Sequence, residues 1–456
     1  MATLWCMRIG SYIHHSSTIH DHTFTVPLDH NAPDAHDHGT VDIYAREIIP
    51  PGGDNLPYLV FMQGGPGGEG PRPGDFRDGF IGRMLKDYRV VLLDQRGTGR
   101  SHRLDKLTLS SLGNQSVTDE GDHAPTAQEI ADYLTLFRQD QIVRDAEVVR
   151  RELAGDEPWT TLGQSFGGFI NTCYLSIAPE GLRAVFNTGG LPGLTDIDSI
   201  YRLTYERTAA RNRAYYERYP DDEPMIRRIA AHVRDHEECL PTGERLSTER
   251  FRMIGICLGG QLRFDTLHYM LEAPFVTVNG VSRLSRHFLQ QVADEVAQTT
   301  PMYAVLQETI YAATTPALAG TATRWSADRL SREIAGFDPD ADPLDTSEPY
   351  YLTGEHMMRS IFDEDPELTG LGEAADILAN RTDWPAVYDP EVLAENSVPV
   401  ASAVYFDDMF VPRELSLETA SAIRGSRVWV TNEYQHDGLR VSGGAVLDHL
   451  FALQRD

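Results

Sequence analysis

The stretch WTTLGQSFGG, residues 159–168, limits the architecture more than any other part of the chain. An apolar strand pattern runs into Gly163-Gln164-Ser165-Phe166-Gly167, and a helical pattern, FGGFINTCYLSIAP, follows at once. A turn this sharp brings the strand and helix backbones together, and Gly163, Gly167 and Gly168 remove the side chains that would collide there. The same turn strains its central serine and leaves the hydroxyl exposed, as a nucleophile requires. A G-x-S-x-G also arises by chance, and its rival reading is a plain turn with an ordinary serine. The strand before it and the helix behind it favour the elbow.

The rest of the chain supplies a sheet for that elbow. TFTVPL (23–28) and VDIYAREII (41–49) read as an antiparallel pair. YLVFMQ (58–63) and RVVLLD (89–94) are the short unbroken apolar runs of buried parallel strands. GNQSVTDEGDHAP (113–125) reads as loop. One long helix is expected from Pro125, with Ile130, Leu134, Phe137, Ile142, Ala146, Val149 and Leu153 near helical spacing. LRAVFNTGG (182–190), PVASAVYF (399–406) and SRVWVTNEY (426–434) are further strands, with a helix at 413–424. Between 193 and 385 helical patterns dominate and no clear strand is visible. The expectation is an α/β sheet interrupted by a helical insertion: a core at 1–192, a cap at 193–385, and the rest of the core at 386–456.

A serine hydroxyl becomes nucleophilic when a histidine takes its proton and a carboxylate orients that histidine. On a strand–turn–helix elbow the chain order is Ser, then Asp or Glu, then His. YFDDMFVP (405–412) puts acids directly after one late strand, and NEYQHDGL (432–439) puts His436 after the next. Both fall at carboxyl ends of strands, the edge where α/β sheets bind ligands. Asp408 is the first choice for the acid and Asp407 the fallback, since adjacent side chains diverge. His449, by contrast, lies in the last helical stretch.

The oxyanion of acyl transfer needs backbone donors. One is the N–H after the nucleophile, Phe166, and the second comes from the glycine-rich loop QGGPGGEG (63–70), where Gly65 is assigned. A phosphate cradle is disfavoured: no GK[ST] follows the loop, G-x-G-x-x-G spacing is missing, and Pro66 and Pro71 oppose a helix start there. DQRGTGRS (94–101) does not complete that spacing either.

Composition narrows the partners. A formal charge of −28 opposes nucleic acid and anionic membrane surfaces, and no run of 18 apolar residues exists to span a bilayer. Cys6, Cys173, Cys239 and Cys257 are widely spaced, which suits free thiols in a reducing cytoplasm, and the N-terminus lacks a secretory pattern. Histidines 14, 15, 20, 22, 30, 36 and 38 lack HExxH spacing or a cysteine partner, so neither a metal nor any other cofactor is expected. Oligomeric state is open at this level.

QGGPG, DQRGTGRS, GQSFGG, the Asp-x-x-x-Pro of Asp408 to Pro412 and EYQHDGL, in that order from about residue 20 to the C-terminus, together resemble the proline iminopeptidases, most closely their longer-chain branch. The resemblance implies an α/β-hydrolase-fold serine peptidase that removes N-terminal proline from short peptides. One departure is Gln63, where shorter members of the family have histidine. An aminopeptidase must read a free ammonium, which carboxylates in a closed pocket do best. By resemblance Glu272 and Glu308 are the amine-binding pair, with Glu355 a third candidate; the competing reading makes each a surface or paired acid. Phe166, Tyr269 and Tyr311 are candidate walls for a pyrrolidine ring. Rival functions keep the triad but change the substrate (esterase, amidase, di- or tripeptidyl aminopeptidase), or leave the site idle in a binding protein. Dehalogenase and epoxide-hydrolase chemistry is disfavoured because position 165 is serine where those reactions use aspartate.

Overall fold

The computed structural model describes residues 6–32, 39–72, 74–112, 124–298 and 301–455. Nine strands form one sheet: β1 Cys6–His14, β2 Ser17–Pro27, β3 Thr40–Ile49, β4 Tyr58–Met62, β5 Arg89–Leu93, β6 Trp159–Gln164, β7 Leu182–Thr188, β10 Val400–Tyr405 and β11 Ser426–Thr431. Their spatial order is β1-β2-β3-β5-β4-β6-β7-β10-β11. The first three are antiparallel, β3 pairs antiparallel with β5, and every pair from β5 onward is parallel. The parallel strands β4 and β5 are buried at all but their first position, which is why they read as unbroken apolar runs.

The chain leaves β4 toward β5 on one side and returns past β4 to β6 on the other. The crossover helix Gly79–Met84 packs on one face of the sheet with Ala445–Arg455, and the helices spanning 127–154 pack on the opposite face. Strand order therefore reverses beside β4, and the crevice outside the carboxyl ends of β4 and β6 is the place where such sheets bind ligands. Gln63 and Ser165 follow these two strands directly.

Three expectations change. The helix from Pro125 is two helices, Ala127–Leu134 and Gln139–Ala154, separated by a 3₁₀ turn and an extended Arg138 (ψ 173°). The break has a purpose in packing. Arg138 donates to the Ala312 and Pro385 carbonyls at 2.7 and 3.3 Å, and Gln139 to the Ile310 carbonyl at 3.0 Å, so both reach into the inserted segment. The insertion is not strand-free: β8 Phe275–Val278 and β9 Val281–Leu284 form a hairpin around Asn279-Gly280, whose positive φ angles of 52° and 78° are those an Asn-Gly turn supplies. The third change is β1, an edge strand added outside the expected antiparallel pair; its residues are mostly exposed, the apolar Met7, Ile9, Tyr12 and Ile13 among them. Of the loop expected at 113–125, residues 113–123 lie outside the described residues, as do His36 and His38.

Between β7 and β10 the chain is otherwise helical, from Ile197–Arg218 to Pro390–Ala394. Its apolar side chains, among them Tyr205, Leu258 and Leu330, join a single cluster with Val60, Met62 and Phe169 of the sheet layer. Among the described residues no helix is long and apolar enough to cross a membrane.

Candidate active site

Ser165 sits between β6 and the helix Phe166–Ile177 at φ 55°, ψ −127°, a conformation that L-residues rarely adopt. Close contact on both sides holds it there. A Cβ on Gly163 would lie 2.3 Å from the Gly167 carbonyl oxygen, and one on Gly167 would lie 2.0 Å from the Met62 oxygen. The Ser165 N–H donates to the Thr188 carbonyl and its own carbonyl accepts from Gly168, so the elbow is tied to β7 and to its helix. Phe166 is the first helical residue, and its N–H belongs to the group that a helix leaves without an intrahelical acceptor.

The glycine-rich loop lies against the serine. A Cβ on Gly64 would be 3.0 Å from the Ser165 Cβ and 3.6 Å from its Oγ, so only glycine leaves room above the hydroxyl. Gly65 has φ 132°, and its Cβ would crowd the backbone nitrogens of Gly67 and Gly68 at 2.9 Å each. The loop is braced from below by DQRGTGRS. Asp94 accepts from the Gly70 and Arg100 N–H groups at 2.9 and 2.8 Å and pairs with Arg72, while Gln95 Nε2 donates to the Gln63 carbonyl at 2.7 Å.

Asp408 and His436 meet. His436 Nδ1 is 2.7 Å from Asp408 Oδ2, and Asp408 Oδ1 accepts the Phe410 and Val411 N–H groups at 2.9 and 3.0 Å. That leaves the aspartate with no rotational freedom. Asp407, the fallback, is half-exposed on the same turn. The His436 ring stands edge-on to Phe410 at 5.0 Å, and its backbone N–H donates to Gly259. Burial lowers the imidazole pKa, but Asp408, then Glu355 and Asp437, together carry it above the ordinary histidine value. Gly189 and Gly190, just past β7, form the seam: a Cβ on Gly190 would strike the Ser165 carbonyl at 2.5 Å, and one on Gly189 would sit 3.1 Å from Asp408 Oδ2 and 3.2 Å from His436 Nδ1.

A cavity of about 410 Å³ opens beside Gly64–Gly68 and is lined by Tyr303, Glu295, Gln298 and Glu355. A smaller chamber lies behind it, walled by Tyr201, Tyr311, Met409 and Phe410, with Gln307, His356 and again Glu355. Glu355 thus faces both spaces. Its Oε1 accepts from the Tyr303 hydroxyl at 3.0 Å; burial pushes its pKa up, and His436 and Tyr303 offset part of that. The neighbouring His356 stacks on Tyr205 at 3.8 Å and is pushed down to about 3 by burial, so it is neutral. Its Nδ1 accepts from the Gly354 N–H, which leaves Nε2 to donate to Thr204 and fixes the turn carrying Glu355. Gln307 is 2% exposed, and its Oε1 has no partner.

The other two carboxylates stand elsewhere. Glu272 is exposed at the end of helix Arg263–Leu271 and lines neither space. Glu308 is buried but also lines neither; its Oε1 accepts the Ala327 N–H at 3.2 Å, and Oε2 has no partner. Of the three carboxylates, Glu355 alone lines these two spaces. Of the aromatic candidates, Tyr311 lines the chamber, Phe166 is buried in the elbow, and Tyr269 is 64% exposed, which removes it as a wall. Tyr303, Tyr201, Gln307 and Phe410 were not anticipated. Only Phe410 carried a local signal, two residues beyond Asp408 in the same loop.

The early histidines have structural partners. His14 and His15 both bond the Gly74 carbonyl, His22 bonds Glu47, and His30 bonds Asp145. No group of three or more metal-ligating side chains occurs among the described residues.

A mostly parallel sheet, a strained serine on the elbow after β6 and an Asp–His pair after the last two strands define an α/β hydrolase. A family model for the alpha/beta hydrolase fold matches residues 57–224. Over 439 residues the chain is 41% identical to a proline iminopeptidase of Aeromonas sobria, covering 95% of this chain and 96% of that one. It is 32% identical over 443 residues to a proline iminopeptidase of Aspergillus aculeatus, covering 95% and 93%. The crystal structure of a proline iminopeptidase from Mycobacterium smegmatis matches with a TM-score of 0.42 at 13% identity, covering 95% of this chain and 98% of that one. The chain belongs to the proline iminopeptidase family.

Proposed function

We propose that the protein is a serine aminopeptidase that releases N-terminal proline from short peptides. The observation that carries this reading is the position of Glu355, a carboxylate facing both the cavity beside Gly64–Gly68 and the aromatic chamber next to His436. An ammonium entering that space exchanges water for a charge-assisted bond to an acid with one oxygen already held by Tyr303. A prolyl ammonium has two N–H groups. Glu355 takes one, and the unpartnered Gln307 oxygen takes the other. The chamber walled by Tyr201, Tyr311 and Phe410 measures about 10 Å³, so these side chains move apart to receive the ring.

With the amine anchored, the scissile carbonyl lies over Ser165. Ser165 Oγ attacks while His436 Nε2 accepts its proton, in the tautomer set by Asp408 at Nδ1. The Phe166 and Gly65 N–H groups stabilise the oxyanion, each worth about 3 kcal/mol of the barrier. His436 then protonates the leaving amine, and water attacks the prolyl-enzyme by the same route. The helical insertion at 193–385 acts as a cap that admits a short N-terminus, and no cofactor enters any step.

The test compares prolyl p-nitroanilide with its N-acetylated form on wild type and Ser165→Ala. Turnover of the free amine alone, abolished in Ser165→Ala, is the expected result. Equal rates on both substrates would remove the amine anchor and leave a general amidase or esterase. Failure of a fluorophosphonate probe to label Ser165 would favour an idle site.

A further inference from the structure

The three segments that meet at the site come from distant parts of the chain. Gln63 follows β4 and precedes Gly64; Gln164 ends β6 and precedes Ser165; His436 lies on the loop after β11. Arg440, four residues beyond His436 in the short helix Gly438–Val441, reaches back to the other two. Its Nη2 donates to Gln63 Oε1 at 3.0 Å and to Gln164 Oε1 at 3.1 Å. A terminal guanidinium nitrogen carries two protons, and both are used.

We propose that Arg440 is a positioning residue that clamps the oxyanion loop, the nucleophile elbow and the histidine loop in one register. Three observations support a clamp over a chance surface contact. First, the chain holds 68 acidic residues, yet the partners of this arginine are two neutral amides, each directly before a catalytic element. Second, Gln63 is fixed at both ends: Gln95 holds its carbonyl, Arg440 holds its side chain, and a Cβ on Gly68 would press on its Cγ at 3.0 Å. Third, although Arg440 as a whole is exposed, its guanidinium lies 5.8 Å from the Phe80 ring, and loss of water around it lowers its pKa. The inference deepens the serine-hydrolase reading and rests on its triad.

The clamp acts on geometry at the reacting atoms, so its loss is read in kcat and in the rate of Ser165 modification. Arg440→Met is expected to lower kcat on prolyl p-nitroanilide about tenfold or more with KM within about twofold, because sub-ångström misplacement costs that much. The second-order rate of fluorophosphonate labelling at Ser165 falls with it. In a double-mutant cycle, Gln63→Met is costly in wild type and neutral on top of Arg440→Met. Millimolar guanidinium, against potassium chloride at equal ionic strength, partly restores kcat in Arg440→Ala. Unchanged kcat in a folded Arg440→Met would overturn the proposal. So would additive effects of the two substitutions, or a loss that follows melting temperature without rescue. The labelling arm needs no proline substrate: a wild type inert to prolyl anilide but labelled at Ser165 would refute the substrate reading and leave the clamp testable.

Discussion

Glu308 offers a test of the site assignment that does not involve turnover. The carboxyl is 5% exposed, its Oε1 takes the Ala327 N–H, and its Oε2 has no partner. Burial pushes its pKa from 4.5 to about 7, and the polar groups of Thr323, Ala327 and Trp325 near it offset only part of that rise. An acid raised by folding binds its proton more tightly in the native state. The native state therefore loses stability relative to the unfolded chain as pH climbs from about 4.5 to about 7. At about 1.4 kcal/mol per pH unit the full difference is about 3 kcal/mol, present above that window and absent below it. Glu308→Gln mimics the protonated acid, keeps a carbonyl for Ala327 and removes the titration. The variant should match wild type near pH 4.5 and exceed it in stability above pH 7.5, with the gap opening between. Urea midpoints for both proteins at half-unit pH steps provide the measurement, since differences cancel contributions from all other groups. A gap that is flat across pH 5–8, or a variant weaker than wild type at pH 8, would refute the reasoning. If Glu308 instead held the substrate ammonium, the same substitution would cut kcat/KM on prolyl p-nitroanilide by orders of magnitude. Retention within about fivefold is expected here.

Glu355→Gln should lower kcat/KM for free-amine substrates by about 100-fold, the size of a lost charged partner for a desolvated ammonium, while fluorophosphonate labelling of Ser165 persists. Asp408→Asn keeps an oxygen on the Phe410 and Val411 N–H groups and turns its NH₂ toward His436 Nδ1. That imposes the wrong tautomer, and kcat should fall by about 10³–10⁴. His436 accepts a proton only when neutral, and its pKa is raised, so the acidic limb of kcat/KM should lie above 6.5. Removing the Glu355 charge in Glu355→Gln should move that limb to lower pH, and a limb that stays in place would separate the two groups electrostatically.

The elbow and the Ser–Asp–His order were legible in sequence because their requirements are local. Gly163, Gly167 and Gly168 stand where backbones touch, and Asp408 and His436 follow strands with clear apolar runs. Glu355 was ranked below Glu308 because nothing within ten residues of either tells which faces the chamber. That is decided by His356 packing on Tyr205 and by Tyr303, 52 residues away, reaching the carboxylate. Periodicity likewise ran straight through Arg138, since the break there comes from carbonyls at 312 and 385 rather than from any helix breaker. The hairpin at 275–284 carried a usable signal in Asn279-Gly280, outweighed by the helical texture around it.

The shared apolar cluster makes the segment between β7 and β10 part of the same foundation as the sheet. Tyr205, Leu258 and Leu330 pack in one continuous cluster with Val60, Met62 and Phe169, and Arg138 spans the boundary from beneath. A cassette exchanged by recombination would arrive without these complementary surfaces and would leave the foundation exposed. Exchanging the segment for another would therefore also require Val60, Met62 and Phe169 to be reshaped to fit it.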